Sequence, residues 1–304
     1  MSDTVRRPGA VSALFRRPAG RVGAALVVLV VLGAVLAPWI APYDPIAVNL
    51  AAKLRPPGAA HWLGTDQTGR DLLSRILWGA RPSLSVGLVA VLIGLVGGCG
   101  IGLTAGYYRG WWAQVSMRVM DGLASIPLLI WAIAVIGIVG VGPMQLGPVR
   151  LPNEAKIALL VGLFYMPPLA RITYGSALVE AASDYVRARQ SQGAGNLAIL
   201  LGDLLPNCLS PVIVQATLLV AVGIVVEASL SFIGLGVEAP NPSWGTMLAD
   251  ARGFVFTGQW WMSVCPGAAI SASVIGFNLM GDALRDALDP RRGHAPPAVS
   301  GLLG

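Results

Sequence analysis

Charged residues are scarce in this chain of 304 residues, where Asp, Glu, Lys and Arg together make up 12%. Soluble domains carry about a quarter, so this chain has too few charges to cover a water-facing surface of its size. Hydrophobic residues reach 55%, which excludes an intrinsically disordered chain. The composition therefore predicts a protein that lies in a membrane.

Lysine and histidine are nearly absent, and each shortage excludes a class of site. The two lysines, Lys53 and Lys156, both follow alanine, so neither fits the Gly-Lys-Ser/Thr end of a P-loop, and ATP is not bound by that route. The two histidines, His61 and His294, are predicted on opposite sides of a membrane, so they do not supply the clustered groups of a catalytic site. A membrane enzyme is therefore disfavoured.

Cysteines and basic residues exclude two further classes. The three cysteines have no Cys-x-x-Cys spacing for zinc or redox chemistry and are interpreted as small buried apolar residues: Cys99, Cys208 and Cys265. The net charge is +6, but the arginines are spread between apolar blocks. Flanks of membrane spans account for them better than a nucleic-acid surface does.

Long uncharged runs predict six transmembrane helices, because a helix crosses the hydrocarbon core with about 20 residues. The short fourth run ends at Arg171 but continues beyond it with apolar residues. The first run also has features of a cleaved signal peptide, although its length and Pro38 favour an uncleaved span. The predicted spans are 22–43, 82–108, 122–149, 157–179, 204–226 and 253–281.

The segment between spans four and five predicts a helix-turn-helix on the cytoplasmic face. Gly193 would stop the first helix, Asn196 would cap the second, and Pro206 would end it after Leu205. An ordinary interfacial loop and a rigid knob that docks into another protein both fit this pattern.

Here the sequence resembles the inner-membrane permeases of ABC importers, whose cytoplasmic loop carries Glu-Ala-Ala, three residues, Gly, and an apolar stretch ending in Leu-Pro. Gly193 and Leu205-Pro206-Asn207 match that spacing, whereas Arg187-Ala188-Arg189 stands in place of Glu-Ala-Ala. Glu180-Ala181-Ala182 lies too far upstream and is interpreted as the continuation of span four. The resemblance implies an ATPase-coupling loop formed by Arg187, Ala188, Arg189, Gly193, Leu205, Pro206 and Asn207.

Three further stretches narrow the resemblance to the C-type subunit of dipeptide, oligopeptide and nickel importers. They are Leu63-Gly-Thr-Asp-Gln-Thr-Gly-Arg-Asp71, Ser231-Phe-Ile-Gly-Leu-Gly236 with Pro242-Ser243-Trp244-Gly245, and Asn278 to Arg291. The resemblance implies an all-α membrane fold of the type I, MetI-like kind. It also implies a homologous second permease as heterodimer partner, two ABC ATPases that bind ATP and Mg, and an extracytoplasmic solute-binding protein.

The first outer loop and the segment before Trp244 are predicted to lie outside the membrane. Asp66, Arg70 and Asp71 carry opposite charges beside turn-forming glycines. These residues, with Trp244, are candidates for facing the binding protein; a solvated loop with local salt bridges is the alternative. Glycines and prolines between Phe232 and Trp244 predict a break in the helix there.

Polar residues inside the last two spans are the candidates for a pathway. Glu227 interrupts an apolar run and is expected to face the pathway or the partner permease, or else water at the outer interface. Asn278 is the corresponding residue of span six. Beyond it, four charges at helical spacing predict a charged collar with a structural role: Asp282, Arg285, Asp286 and Asp289.

The sequence thus predicts five segments: a cytoplasmic tail (1–21), span one (22–43), an outer loop (44–81), a five-span core (82–284) with the coupling loop at 180–207, and a cytoplasmic tail (285–304). The leading hypothesis is a non-enzymatic permease subunit in a bacterial inner membrane, with no cofactor of its own. Its cargo would be di- or oligopeptides, or alternatively glutathione-like thiols or nickel. A self-sufficient secondary transporter is the competing class, but such a transporter needs ion-coupling residues that are scarce here.

Overall fold

The fold is a helical bundle, seen in a computed structural model that describes residues 17–146 and 149–288. Its helices in chain order are α1 Pro18–Ile40, α2 Leu72–Tyr108, α3 Gly110–Ala124, α4 Leu128–Val139, α5 Asn153–Glu180, α6 Asp184–Ser191, α7 Asn196–Phe232, α8 Trp244–Ala251 and α9 Trp261–Leu288. A short antiparallel hairpin joins α4 to α5 and consists of β1 Met144–Leu146 and β2 Val149–Leu151.

The bundle has two distinct ends. The long-loop end holds the connections 41–71, 140–152 and 233–260. Within it, Arg70 pairs with Asp250, and Asn153 donates to the Leu235 carbonyl. The short-loop end holds the connections at 109 and 181–195, together with the start of α1 and the last turn of α9. There Arg17 contacts Asp286.

The predicted third span at 122–149 is wrong as a single straight helix. The chain breaks between α3 and α4, which meet at 85°. Pro127, which has no N–H to donate, stands at the break as the residue immediately before α4. The pair still crosses the bundle, because α3 begins at the short-loop end while Lys156 Nζ donates to the carbonyl of Gly140, just after α4, at the long-loop end (2.8 Å). Counted this way, the described residues make six crossings.

Several other span boundaries also differ from the sequence prediction. Helix α2 begins ten residues before position 82, because the Asp71 carboxylate accepts the Ser74 N–H and caps it (2.8 Å). Arg75 and Arg81, which ended the uncharged run, lie inside that helix. Helix α5 runs through Arg171 without interruption, as predicted. The last span begins at Trp261, later than the predicted 253.

Proline explains how one of these arginines is accommodated. Pro38 lies inside α1 and has no N–H, so the carbonyl of Ala34 lacks its usual helical partner. Arg81 Nε donates to that carbonyl at 2.7 Å. The charged side chain of α2 thereby fastens α1 to the bundle, and a residue that appears to end a span is a helix-helix contact.

Helices α2 and α5 form the most extensive pair in the bundle. A stripe of glycines at every fourth position of α2 faces α5, and a Cβ atom on any of them would lie within 2.7 Å of an α5 atom: Gly94, Gly98, Gly102 and Gly106. Small residues at this spacing let two membrane helices approach closely. This pair forms the centre of the core; α7 packs against both of its helices, whereas α9 packs mainly against α1 and α7.

Candidate functional sites at the two ends of the bundle

The predicted coupling loop forms a compact turn at the short-loop end. Helix α6 ends at Ser191, and Gly193 adopts the left-handed conformation (φ 79°) that stops it, as predicted. Its N–H donates back to the Gln190 carbonyl at 2.9 Å. The turn therefore has a fixed geometry set by glycine.

The second half of the predicted helix-turn-helix is wrong in two respects. Helix α7 does not end at Leu205 but continues without a break to Phe232, after a π-helical stretch at Ile199–Leu204. Pro206 stands at the start of the regular α-helical part, where its missing N–H is tolerated. Asn196 also does not cap the helix, because Gly195 holds the cap position. The predicted coupling loop is therefore continuous with span five.

A small apolar cluster fastens this turn to the bundle. Val186 of α6 is fully buried and belongs to a cluster with Leu103 of α2, Ala177 of α5 and Leu204 of α7. Because one side chain of α6 contacts a cluster built from three spans, α6 is held as a unit with those spans.

Polar tethers that the sequence did not reveal complete the attachment. Tyr185 Oη donates to Glu180 at 2.9 Å and accepts from Asn207 Nδ2 at 3.1 Å. Tyr107 Oη donates to Asn196 Oδ1 at 2.9 Å. Glu180, interpreted as a continuation of span four, is the last residue of α5 and also holds the turn after α6 through Tyr185.

The residues predicted to couple to the ATPase lie mostly on the surface of this turn. Exposed members are Arg187, Ala188, Arg189, Gly193, Pro206 and Asn207, while Leu205 is half-buried. Arg187 pairs weakly with Asp184 (3.8 Å), and Arg189 pairs with Asp203 (3.1 Å). Two large apolar side chains, Leu197 and Leu201, stand exposed on the adjoining turns of α7. The turn thus presents an exposed surface of both charged and apolar groups.

The long-loop end carries a buried ionic network. Asp66 Oδ2 accepts from Arg70 Nε at 2.6 Å and lies 3.5 Å from Arg75 Nε. Both arginines also reach Asp250 Oδ2 of α8, at 3.2 Å and 3.4 Å. Gly69 has φ 76°, and its backbone lies so close to the carbonyl group of Asn49 that no side chain would fit there. The first loop is thereby joined to the segment before α9.

The pKa values of the two carboxylates in this network are shifted in opposite directions. Burial opposes ionisation of Asp66, but the hydrogen bond from the Arg70 N–H and the charge of Arg75 outweigh it and lower the pKa of Asp66 below its ordinary value. Burial dominates at Asp250 and raises its pKa, although Arg75 and Arg70 oppose that shift. Asp66 therefore keeps its negative charge to a lower pH than Asp250 does.

The residues predicted to face the binding protein are largely buried within the chain. Asp66 and Asp71 each have 2% exposure, and Asp71 caps α2 while its Oδ1 lies 2.9 Å from His61 Nδ1. Trp244 is buried and donates its indole N–H to the Ile76 carbonyl at 3.1 Å. A solvated loop would expose these groups; here they fix the loop from inside. The predicted break between Phe232 and Trp244 is present.

Glu227 is completely buried within the chain. Its carboxylate accepts hydrogen bonds from Ser83 of α2 and Ser231 of α7, each at 2.6 Å. Ser231 Oγ also accepts from the N–H of Val237 (3.1 Å). Glu227 therefore faces neither open pathway nor water in this structure, and instead joins α2 and α7 to the loop that follows α7.

The remaining predicted polar residues lie on α9. Asn278 is exposed on that helix. Asp286 of the predicted charged collar contacts Arg17, whereas Asp289 and His294 lie outside the described residues. Among the residues that the structure describes, no group of three or more His, Cys, Asp or Glu is placed to hold a metal ion.

Two family models match the chain. Residues 98–294 match the binding-protein-dependent transport system inner membrane component, and residues 9–57 match the N-terminal TM domain of oligopeptide transport permease C. The chain belongs to this family of transport-system permeases.

Individual relatives agree with that assignment. This permease is 41% identical to the di/tripeptide transport system permease protein DppC of Pseudomonas aeruginosa, over 90% of this chain and 88% of the relative. It is 40% identical to the probable D,D-dipeptide transport system permease protein DdpC of Escherichia coli (89% and 87% covered) and 40% identical to an Escherichia coli glutathione transport system permease protein GsiD (91% and 88%).

A solved structure gives the same fold. The inward-facing MetNI methionine ABC transporter superposes with a TM-score of 0.55 at 19% identity, covering 71% of this permease and 96% of that chain. At this identity the likeness concerns the fold alone. The permease therefore has the MetI-like fold of type I ABC importers, as the motifs predicted.

Proposed function

We propose that this permease is one of two homologous membrane subunits of an ATP-driven importer for di- and oligopeptides. Two of the relatives above are named for di- or tripeptides, and a third for glutathione, which is itself a small peptide. A glutathione-like cargo is therefore the second candidate. Nickel as the cargo is supported by the sequence motifs alone, so it is the weakest candidate.

The observation that most supports this proposal is the way the coupling turn is attached to the membrane-spanning helices. Val186 joins α6 to three spans through one buried cluster, while Arg187 and Leu197 remain exposed to a partner. In the proposal an ATPase subunit docks on this surface, and a second ATPase docks on the partner permease. ATP and Mg²⁺ are bound by those subunits, and this chain binds no cofactor.

In the proposed orientation the short-loop end is cytoplasmic and both termini lie there, in a bacterial inner membrane. This assignment is supported by the contact of Arg17 with Asp286 at that end and by the six crossings. The long-loop end then faces outward, toward a solute-binding protein that delivers the cargo. The predicted tails at 1–21 and 285–304 lie largely outside the described residues.

Helix α7 is the proposed transmission element between the two ends. Its 37 residues span about 55 Å at 1.5 Å per residue, from the coupling turn to the loop after Phe232. Glu227 connects its outer part to α2 through Ser83. A displacement of α6 on ATP binding would shift α7 and the loop together, which gives the two states that alternating access requires.

Reconstitution tests this proposal. The permease is co-expressed with its partner permease and ATPases, placed in proteoliposomes, and supplied with the binding protein and radiolabelled di- and tripeptides. We expect uptake that requires ATP and all subunits, with glutathione and nickel chelates as competitors to rank the cargo. ATP-independent uptake by this chain alone would overturn the subunit assignment and favour a secondary transporter.

A further inference from the structure

A cavity of about 500 Å³ opens at the long-loop end, between the ionic network and the loop that follows α7. Its floor includes buried residues such as Arg75 and Val237, whereas Gly234, Ala239 and Asn241 at its rim are exposed. The cavity therefore communicates with the outer side. Its volume lies in the range of about 300–1,000 Å³ that is typical of small-ligand sites.

One wall of this cavity presents an incompletely satisfied cation. Arg75 has 2% side-chain exposure, and its Nε and Nη1 atoms have no hydrogen-bond partner among the described residues. Its charge is paired with Asp66 (3.5 Å from Nε) and with Asp250, but its one hydrogen bond, from Nη2 to Asp250, is long at 3.4 Å. A buried guanidinium with free donors is costly, so this wall favours a ligand or water that accepts hydrogen bonds.

The other wall presents an incompletely satisfied anion. Glu238, in the loop after α7, lines the same cavity, and its Oε1 atom is buried without a hydrogen-bond partner among the described residues. That oxygen lies near Gly142, where a Cβ atom would be 3.6 Å away. The carboxylate thus lies at the cavity wall and offers an acceptor to a donor group.

The combination of charges selects a ligand class. A simple anion would meet Glu238 and Asp250, and a simple cation would meet Arg70 and Arg75, so each would face repulsion as well as attraction. A zwitterion satisfies both walls, with its carboxylate on Arg75 and its ammonium on Glu238. Charge-assisted hydrogen bonds of this kind are about twice as strong as neutral ones.

We infer that this cavity is a binding site for the free termini of a short peptide, which it holds at the outer mouth of the permease. The inference rests on the proposed function and deepens it, because it assigns recognition of zwitterionic cargo to the permease as well as to the binding protein. Arg75 would take the α-carboxylate and Glu238 the α-ammonium group.

The test uses the complete transporter complex in nanodiscs, without the binding protein, and radiolabelled dialanine as the probe. We expect saturable binding of dialanine and at least about tenfold weaker binding of N-acetyl-dialanine and of dialanine amide. Glu238→Gln should weaken dialanine binding by a similar factor and remove the difference between dialanine and its N-acetyl form. Asp44→Asn, which alters an exposed carboxylate at the same end but outside this cavity, should change neither value.

Three results would overturn the inference: no saturable binding, equal binding of the blocked peptides, or unchanged binding by Glu238→Gln. The analogue series on the unmodified complex keeps the test decisive even if the variant fails to assemble. ATP-driven dialanine uptake, measured with the binding protein present, separates the two proposals. Uptake together with any of these three results leaves the proposed function standing, whereas a complex that imports no peptide contradicts the proposed function itself.

Discussion

The two ends of the bundle use their scarce charges in opposite ways. At the long-loop end Asp66 and Arg75 are buried and Arg70 is partly buried, and the three are paired within the chain. At the short-loop end Arg187 and Asp184 are exposed and 3.8 Å apart, and α6 is held by an apolar cluster instead. Buried pairs fix the conformation of their own chain, while exposed charges remain free to meet another subunit.

The strongest way to break this contrast is to remove the central carboxylate of the buried network. Asp66→Ala would leave Arg70 and Arg75 without their shared partner, and we expect a loss of about 3–5 kcal/mol in the free energy of unfolding. Thermal unfolding of the purified complex, followed by intrinsic fluorescence, measures it. The matched variant Asp184→Ala at the other end should leave the unfolding temperature unchanged; equal shifts in the two variants would refute the contrast.

A smaller loss is expected where α2, α7 and the outer loop meet. Glu227→Ala removes the acceptor of the Ser83 and Ser231 hydroxyls, at a cost of about 1–3 kcal/mol, while Glu227→Gln keeps one acceptor oxygen and should cost less. Unfolding temperature and ATP-driven uptake are measured for both. If Glu227→Gln instead keeps full stability but alters cargo preference, the residue acts in the pathway and not as an internal connector.

The apolar attachment of α6 can be weakened without touching its exposed surface. Val186→Ala removes two methyl groups from the buried cluster, and at about 0.8 kcal/mol per carbon we expect the turn to open more easily by about 1.5 kcal/mol. Hydrogen exchange of residues 184–195 reports this as faster exchange. Arg187→Ala, on the exposed side, should leave exchange unchanged but reduce ATPase stimulation. Faster exchange in Arg187→Ala would mean that the exposed charges also hold the turn.

The smallest effect is a difference in pH dependence. The pKa of Asp66 is lowered in the folded protein, so its stabilising contribution is present above the ordinary Asp value, near 3.8, and is lost as pH falls toward the folded pKa. The pKa of Asp250 is raised, so its contribution is present at low pH and is lost as pH rises through the raised value. Asp66→Asn should therefore flatten the acid-side loss of stability, and Asp250→Asn should steepen it. If both variants change the slope of stability against pH in the same direction, relative to the unmodified protein between pH 3 and 6, these assignments are wrong.

Hydropathy identified where the chain crosses the membrane, because an uncharged run long enough to cross the hydrocarbon core is rare outside membrane-spanning helices. Hydropathy misplaced the start of α2 because Arg75 and Arg81 lie inside the helix although they are charged. Arg75 pairs with Asp66, and Arg81 donates to a carbonyl that Pro38 leaves without a helical partner. The break before α4 carried a proline signal but no change in hydropathy, so an uncharged run concealed it.

Tertiary partners were the part that the sequence could not supply. Asp250 lies far along the chain from Arg70 and carries no motif that would link the two residues. The stripe of glycines from Gly94 to Gly106 was visible at a spacing of four and indicates that α2 packs closely against another helix, but it does not identify that helix as α5. The end of α6 was placed correctly from Gly193, whereas the polar tethers of that turn, such as Tyr185 with Glu180, depend on how helices end in space.

The most direct test of the central claim is the retention of ATPase subunits by a permease with an altered coupling turn. Leu197 is 68% exposed beside α6 and Val48 is 61% exposed at the opposite end, so Leu197→Glu and Val48→Glu form a matched pair. In affinity purification of the co-expressed complex, Leu197→Glu should lose the ATPases while keeping the second permease, and Val48→Glu should keep both. Full ATPase retention by Leu197→Glu, or equal loss in the two variants, would contradict the assignment of this turn as the coupling surface.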